Sequence, residues 1–343
     1  MIELKGVSKT FQSKDGSVEA CRDIDLTIDS GEIFGIIGKS GAGKSTLVRC
    51  INLLERPDAG TVTVDGTELT ALPEKELRAR RKKIGMIFQL FNLMASRTVY
   101  GNVAYALRGA GLAKEQEQEK IRGLLELVGL DEKENAYPSQ LSGGQKQRVA
   151  VARALACDPS VLLCDECTSA LDPGTTAAIL KLLKEVNRRL GITIVLITHE
   201  MAVAKEICGR IAVMQDGRIV EQGATADIFA NPTAAATREF LSATDLTEQA
   251  RALIESDSPV LNTEEGAILL RLKYGRSSVK QAVISEISRR YNVDASILLG
   301  NVEVVGGTTL GNLVLSMTGT KENVTAAVRY LSENEIVVEV LKR

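Results

Sequence analysis

The stretch Ile33-Phe34-Gly35-Ile36-Ile37-Gly38-Lys39-Ser40-Gly41-Ala42-Gly43-Lys44-Ser45-Thr46-Leu47 decides the fold of the larger part of the chain. The apolar run Ile33–Ile37 reads as a strand buried on both faces. It passes into G-x-x-x-x-G-K-S, and an apolar-periodic helix follows from Leu47. Glycines let backbone N–H groups turn inward onto phosphate oxygens, and the helix start adds the positive end of its dipole. A loop of this kind between strand and helix is a phosphate cradle. Gly38, Ser40, Gly41, Ala42, Gly43 and Thr46 are its candidate lining. Lys44 is expected to reach the β- and γ-phosphates of a nucleotide, and Ser45 to ligate Mg2+.

Further apolar runs surround this unit: Ile84–Phe88, Val161–Cys164, Ile192–Thr198 and Ile211–Gln215. They alternate with helical patterns, so residues 1–240 read as an α/β domain. Ile2–Val7 and Gly60–Val64 read as antiparallel strands beside that core, giving a mixed sheet. The run Val161–Cys164 ends in Asp165 and Glu166. Asp165 suits a Mg2+ partner and Glu166 a base that polarises an attacking water. Two acids after a strand also suit a helix start. Leu141-Ser142-Gly143-Gly144-Gln145 precedes the patterned helix KQRVAVARALA and makes a second anion-binding helix N-terminus. Taken singly it reads as a helix cap; beside a first phosphate loop, it points to a second phosphate site.

Composition narrows the function classes. The 343 residues carry 42 basic and 44 acidic side chains, net −2, with no Trp and 3% aromatics. Such a balance argues against a nucleic-acid partner. No apolar run reaches the roughly 20 residues of a membrane span, and the start MIELKGVSKTF lacks signal-peptide character. A cytoplasmic protein is expected, meeting a membrane only through partners. Cysteines at 21, 50, 157, 164, 167 and 208 form no disulfide framework. Cys164 and Cys167 make a C-x-x-C, but no second pair or His cluster accompanies it, so metal binding is not the expectation. The basic run Arg78–Lys83 reads as a solvated helix face, with anionic lipid as the alternative.

Residues 241–265 hold six acids and one Arg and read as an acidic linker. Residues 266–343 form a second unit. Ala267–Tyr274 is a strand, Val279–Asn292 a helix, Ile297–Val305 and Leu310–Thr318 strands joined through Gly306-Gly307, Lys321–Ser332 a helix and Glu335–Leu341 a strand. The order βαββαβ is a ferredoxin-like unit.

Together these motifs resemble the ATP-binding cassette (ABC) ATPases, over residues 1–240. GKSGAGKST (38–46) matches the Walker A loop, LSGGQKQRVAVARAL (141–155) the signature, VLLCDE (161–166) the Walker B strand and SALD (169–172) the D-loop. Gln89 matches the Q-loop glutamine, His199 the switch histidine, and Phe11 the aromatic that stacks on adenine. The resemblance implies a P-loop NTPase fold, a mixed sheet plus a helical subdomain. It implies ATP and Mg2+ as ligands, with Ser45, Gln89 and Asp165 around the metal and Glu166, His199, Gln89 and Lys44 in catalysis. It also implies a head-to-tail homodimer, each ATP lying between one chain's Walker A loop and the other's Ser142, Gly143, Gly144 and Gln145.

The segments INLLERPDAG (51–60) and FQLFNLMASRTVYGNVAYAL (88–107), with the C-terminal βαββαβ unit, resemble the ATP-binding subunits of bacterial methionine importers. That likeness implies two membrane permease subunits, an external substrate-binding protein, a peripheral place on the cytoplasmic side of the membrane, and a C-terminal domain through which L-methionine inhibits transport. Where that family has Asn-Ile-Leu, this chain has Ser296-Ile297-Leu298, so a hydroxyl replaces an amide at the expected ligand site. Cys167 likewise takes a position where relatives carry a small residue. The alternatives are an importer for another amino acid whose C-terminal domain only dimerises, with Ile297 and Leu298 as strand core, a soluble ABC ATPase outside transport, and a chain acting chiefly as an amino-acid sensor.

Overall fold

The computed structural model describes residues 1–13, 16–242, 267–274, 282–305, 308–334 and 336–342. Two compact units divide between Gly223 and Ala224.

In the first unit, β1 (Ile2–Ser13), β2 (Gly16–Ile28), β4 (Ala59–Val64) and β5 (Thr67–Glu68) make one four-stranded sheet in the order β2-β1-β4-β5. Its ladders are antiparallel, so Ile2 faces Ile28 on one side and Val64 on the other. The sequence places Ile2–Val7 and Gly60–Val64 beside the core; they do so as a sheet of their own. A six-stranded sheet has the order β10-β9-β3-β8-β7-β6. Its strands are β3 (Ile33–Ile37), β6 (Ile84–Ile87), β7 (Val161–Asp165), β8 (Thr193–Thr198), β9 (Arg210–Gln215) and β10 (Arg218–Ala224). The ladders from β9 through β3, β8 and β7 to β6 are parallel. Every residue of β7 and β8 is buried, which is why these strands are unbroken apolar runs.

Helix α1 (Lys44–Ile51) lies in the core shared by the two sheets. Its Leu47, Val48, Cys50 and Ile51 are fully buried with Leu4, Ile28, Phe34, Ile36, Leu163 and Val195. Each such aliphatic side chain contributes roughly 1.5–3 kcal/mol on burial, so the helix after the phosphate loop is firmly seated. Helix α2 is Glu74–Arg81, and a helical layer of α3 (Val99–Ala106), α4 (Lys114–Leu127) and α5 (Gly143–Leu155) precedes β7. Helix α6 (Pro173–Leu190) starts on Asp172, whose side chain accepts from Thr175 N–H, with Pro173 in the first turn. Helix α7 is Met201–Ile207. Arg78 and Arg81 of α2 pair with Glu74, and Arg81 also donates to the carbonyls of Asn52 and Leu53. The basic run is thus a solvated face on one side and a tether to the end of α1 on the other.

The second unit begins with α8 (Thr225–Ala230) and α9 (Ala235–Ser242). Of the segment read as an acidic linker, residues 243–265 lie outside the described residues. The remainder is β11 (Ile268–Tyr274), α10 (Val283–Tyr291), β12 (Asp294–Val305), β13 (Thr308–Thr318), α11 (Lys321–Glu333) and β14 (Val337–Lys342). Residues 279–281 of the expected helix, and the Gly306-Gly307 turn, lie outside the described residues. The sheet order is β12-β13-β11-β14, antiparallel throughout, as a ferredoxin-like unit requires. Leu270, Leu272, Leu315 and Met317 pack against Val283, Ile287, Val324 and Leu331 of the two helices.

Candidate nucleotide site

Strand register assembles the site. β3, β8 and β7 are parallel neighbours, pairing Ile37 with Thr198 and Asp165 with Ile197. Their carboxyl ends therefore lie side by side, where open α/β sheets bind ligands. The loop 38–43 leaves β3, Asp165 ends β7, and His199 follows β8.

The loop's shape depends on two glycines. A Cβ on Gly38 would stand 2.3 Å from Met214 O, and one on Gly43, at φ 97°, 2.0 Å from Ala20 O. Neither position admits a side chain. Ala42 is buried, Ser40 and Gly41 are exposed, and Ser45 and Thr46 are half-buried in the first turn of α1. Lys44 is 5% exposed. Its Nζ donates to the carbonyls of Gly38 at 2.8 Å and Lys39 at 2.9 Å. Burial pulls its pKa below the usual lysine value, opposed by Glu166 and Asp165. A cation so placed is matched to an anion entering the loop.

Ser45 Oγ donates to Asp165 Oδ1 at 2.7 Å, and Arg49 stands 3.8 Å from Asp165 Oδ2. Hydroxyl and carboxylate oxygens are the donor set of a hard cation, so the residues present suit Mg2+. Glu166 has φ 48°, and its N–H donates to Ile197 O at 3.2 Å. This left-handed turn brings its carboxylate to His199, with Oε1 at 3.1 Å from Nδ1. Gln89 Nε2 donates to Ser169 Oγ at 3.3 Å, and Ser169 Oγ donates to Glu166 O at 3.0 Å. The structure thus brings together Lys44, Ser45, Asp165, Glu166, His199 and, through Ser169, Gln89.

Ser142, Gly143, Gly144 and Gln145 form a separate feature at the start of α5. Ser142 Oγ accepts from Gln145 N–H at 3.3 Å, and Gln145 Oε1 accepts from Ser142 N–H at 2.9 Å. This reciprocal box fixes the helix end. Phe11 lies on β1 opposite Val18, 38% exposed, with Lys9 Nζ 5.5 Å from its ring centroid. Sequence reasoning passed over Arg49, although it follows Ser45 by one helical turn on the same face. It also passed over Arg153, whose carbonyl partners are distant in sequence. Cys164 and Cys167 are buried free thiols, and hydrogen bonding to Cys167 together with burial pushes Cys164 well above the ordinary thiol range.

In the second unit, Ser296-Ile297-Leu298 lies on β12, an edge strand whose pairing with β13 shifts between Ile297 and Leu299. Ile297 is 57% exposed and Leu298 half-buried, so the pair is not strand core. An edge strand has no neighbour on one side to cover such residues.

Residues 21–169 match the ABC transporter family, and residues 268–340 match the NIL domain. The methionine import ATP-binding protein MetN of Photobacterium profundum is 50% identical over 346 residues, covering 99% of each chain. A methionine import ATP-binding protein of Enterococcus faecalis is 49% identical over 342 residues, covering all of this chain and 96% of its own. This chain belongs to the methionine import ATP-binding protein family of ABC ATPases. Among solved structures, a dimeric bacterial ABC transporter cassette matches at TM-score 0.61 and 38% identity, covering 65% of this chain and 98% of its own. The cbiO1 subunit from Clostridium perfringens, part of an ABC transporter complex, matches at TM-score 0.61 and 28% identity, covering 75% and 96%. As a member of this family the chain is an ATP-binding, ATP-hydrolysing subunit. No helix among the described residues is long and apolar enough to cross a membrane.

Proposed function

We propose that this chain hydrolyses ATP to drive a methionine importer. It works as a homodimer beneath two membrane permease subunits, on the cytoplasmic side of the membrane, with an external binding protein delivering substrate. The observation that carries this reading is identity of 49–50% across both units to proteins named for methionine import. Residues 1–240 are then the ATPase domain, 241–265 a linker and 266–343 the regulatory domain.

Gly38, Ser40, Gly41, Ala42, Gly43 and Thr46 cradle the phosphates with backbone and hydroxyl donors. Lys44 exchanges its two carbonyl partners for phosphate oxygens, because bonds between charged groups are about twice as strong. Ser45, Gln89 and Asp165 would hold Mg2+, which would supply Lewis-acid neutralisation of the phosphoryl charge. Glu166 orients the attacking water and accepts its proton. His199 steadies Glu166 and hydrogen-bonds the γ-phosphate. Phe11 stacks on the adenine. Ser142, Gly143, Gly144 and Gln145 complete the partner chain's site, since a helix N-terminus offers backbone N–H groups and the positive end of its dipole to a phosphate. In the C-terminal domain Ser296 and Ile297, exposed on an edge strand, and the half-buried Leu298 take regulatory L-methionine.

The test is ATP hydrolysis by the chain assembled with its permease in vesicles. Methionine-loaded binding protein on the outside is expected to stimulate it, and L-methionine on the ATPase side to suppress it. Stimulation by another amino acid in place of methionine would replace the substrate but keep the importer. Absence of any stimulation would remove the importer reading.

A further inference from the structure

We propose that Arg153 is a positioning residue for ATP hydrolysis: its guanidinium holds the carbonyls of Phe91 and Asn92 and thereby sets where Gln89 meets Ser169. The inference rests on the reading of Gln89 given above.

Arg153 sits in the last turn of α5, the helix that begins with Ser142 to Gln145. Its Nη1 donates to Asn92 O at 2.6 Å and its Nη2 to Phe91 O at 2.9 Å. The fork is matched to two acceptors in a way a single ammonium is not. Those acceptors belong to consecutive residues in the left-handed region, Phe91 at φ 59° and Asn92 at φ 49°. Asn tolerates that conformation; a bulky residue such as Phe seldom adopts it unless the surroundings hold it there. The clamp supplies that hold, one residue beyond Leu90, which is 75% exposed.

The far end of the same segment is also anchored. Asn102 is fully buried, accepts from Met94 N–H, and donates to the carbonyls of Met94, Arg97 and Thr98. Residues between Gln89 and Thr98 are therefore suspended from two points, Arg153 and Asn102. Upstream, the bonds run from Gln89 to Ser169, from Ser169 to the Glu166 carbonyl, and from the Glu166 carboxylate to His199. A displacement of α5 thus reaches Gln89 and the Glu166 turn through Arg153. None of these bonds touches the phosphate loop, so Arg153 acts on hydrolysis more than on ATP binding.

The experiment uses the full chain carrying Arg153→Gln, Arg153→Lys, Gln89→Ala, and the pair Arg153→Gln with Gln89→Ala. Hydrolysis kinetics, Mg-ATP affinity by calorimetry and thermal unfolding are measured for each. Arg153→Gln is expected to lower kcat about tenfold while Kd for Mg-ATP stays within about twofold. Arg153→Lys recovers part of the loss, and the double variant is no slower than Gln89→Ala alone, because both act through one group. Multiplying losses in the double variant, or a normal kcat in Arg153→Gln when Gln89→Ala is slow, would overturn the proposal alone. A Gln89→Ala protein with normal kcat would overturn the reading of Gln89 and the proposal with it. If Arg153→Gln does not fold, Arg153→Lys carries the same test. A fall in its kcat that merely tracks loss of folded protein also counts against the proposal.

Discussion

His199 Nδ1 stands 3.1 Å from Glu166 Oε1, two side chains that leave the carboxyl ends of adjacent parallel strands. The imidazole and the carboxylate are held in each other's reach by the register of β7 and β8. Changing Glu166→Gln preserves the side chain's size and a hydrogen-bonding partner for His199, but removes the proton acceptor. Hydrolysis is expected to fall at least about a hundredfold with Mg-ATP affinity intact. Size-exclusion chromatography with ATP is then expected to show an accumulated dimer. Hydrolysis that survives the change would take Glu166 out of the reaction.

Ser45 and Asp165 meet at 2.7 Å, with Arg49 on the second carboxylate oxygen. Asp165→Asn keeps the shape and removes the charge that would face Mg2+. Half-saturating Mg2+ in the ATPase assay is expected to rise about tenfold, a difference of roughly 1.4 kcal/mol. An unchanged Mg2+ curve would show that Asp165 supports Ser45 only mechanically.

Asn102 offers a stability test away from the chemistry. Its carboxamide satisfies one N–H and three carbonyls while fully buried. Asn102→Ala strips Met94 N–H and the Arg97 carbonyl of this partner, while the Met94 and Thr98 carbonyls keep their backbone donors Arg97 N–H and Asn102 N–H, at a cost on the order of 3 kcal/mol. Urea unfolding checks it; a change below about 1 kcal/mol would mean that water replaces the amide.

Thiol labelling reads the cysteine environments. Burial raises Cys208 to about 12, and hydrogen bonding to Cys167 with burial pushes Cys164 well above the ordinary range. Hydrogen bonding to Cys50, with burial, raises Cys21, while Cys50 is itself lowered but fully buried. Since the thiolate is the nucleophile, raised thiols stay protonated and unreactive until the pH climbs toward their values. Cys157 alone is not fully buried. At pH 8 alkylation of the folded chain is expected at Cys157 first, with the other five labelled only on unfolding. Early labelling of Cys164 in a mass map would contradict the packing around Asp165.

Ser296 is exposed on β12, so an asparagine there meets no wall. Ser296→Asn restores an amide that can both donate and accept, and is expected to tighten L-methionine binding to the full chain about tenfold. Equilibrium dialysis of both proteins, with leucine as control, decides it. Equal affinities would place the ligand elsewhere on the domain.

Much of the site was legible in the chain because its signals are local. The spacing of Gly38, Gly43, Lys44 and Ser45, the acids closing an apolar strand, and the Ser142 box are all read within one turn or strand. Half-buried strands were less legible: β2 alternates buried apolar and exposed polar residues from Ile24 to Ile28, and β10 is nowhere fully buried. Neither has the continuous apolar run that marks β3, β7 and β8. The exposure of Ile297 was misleading for the opposite reason, since an apolar residue in a strand pattern gives no sign that the strand is an edge.

By itself the sequence determined the phosphate loop, the apolar strands of the parallel sheet and the βαββαβ order of the C-terminal unit, because periodicity and glycine placement act over a few neighbouring residues. Only the tertiary structure decided that β1 and β4 form their own sheet, that Ser45 bonds Asp165 across 120 positions, and that Arg153 grips carbonyls 61 and 62 residues away. Those pairings depend on strand order and helix packing. Their partners are chosen by closeness in space after the core has formed, and no local pattern encodes that closeness.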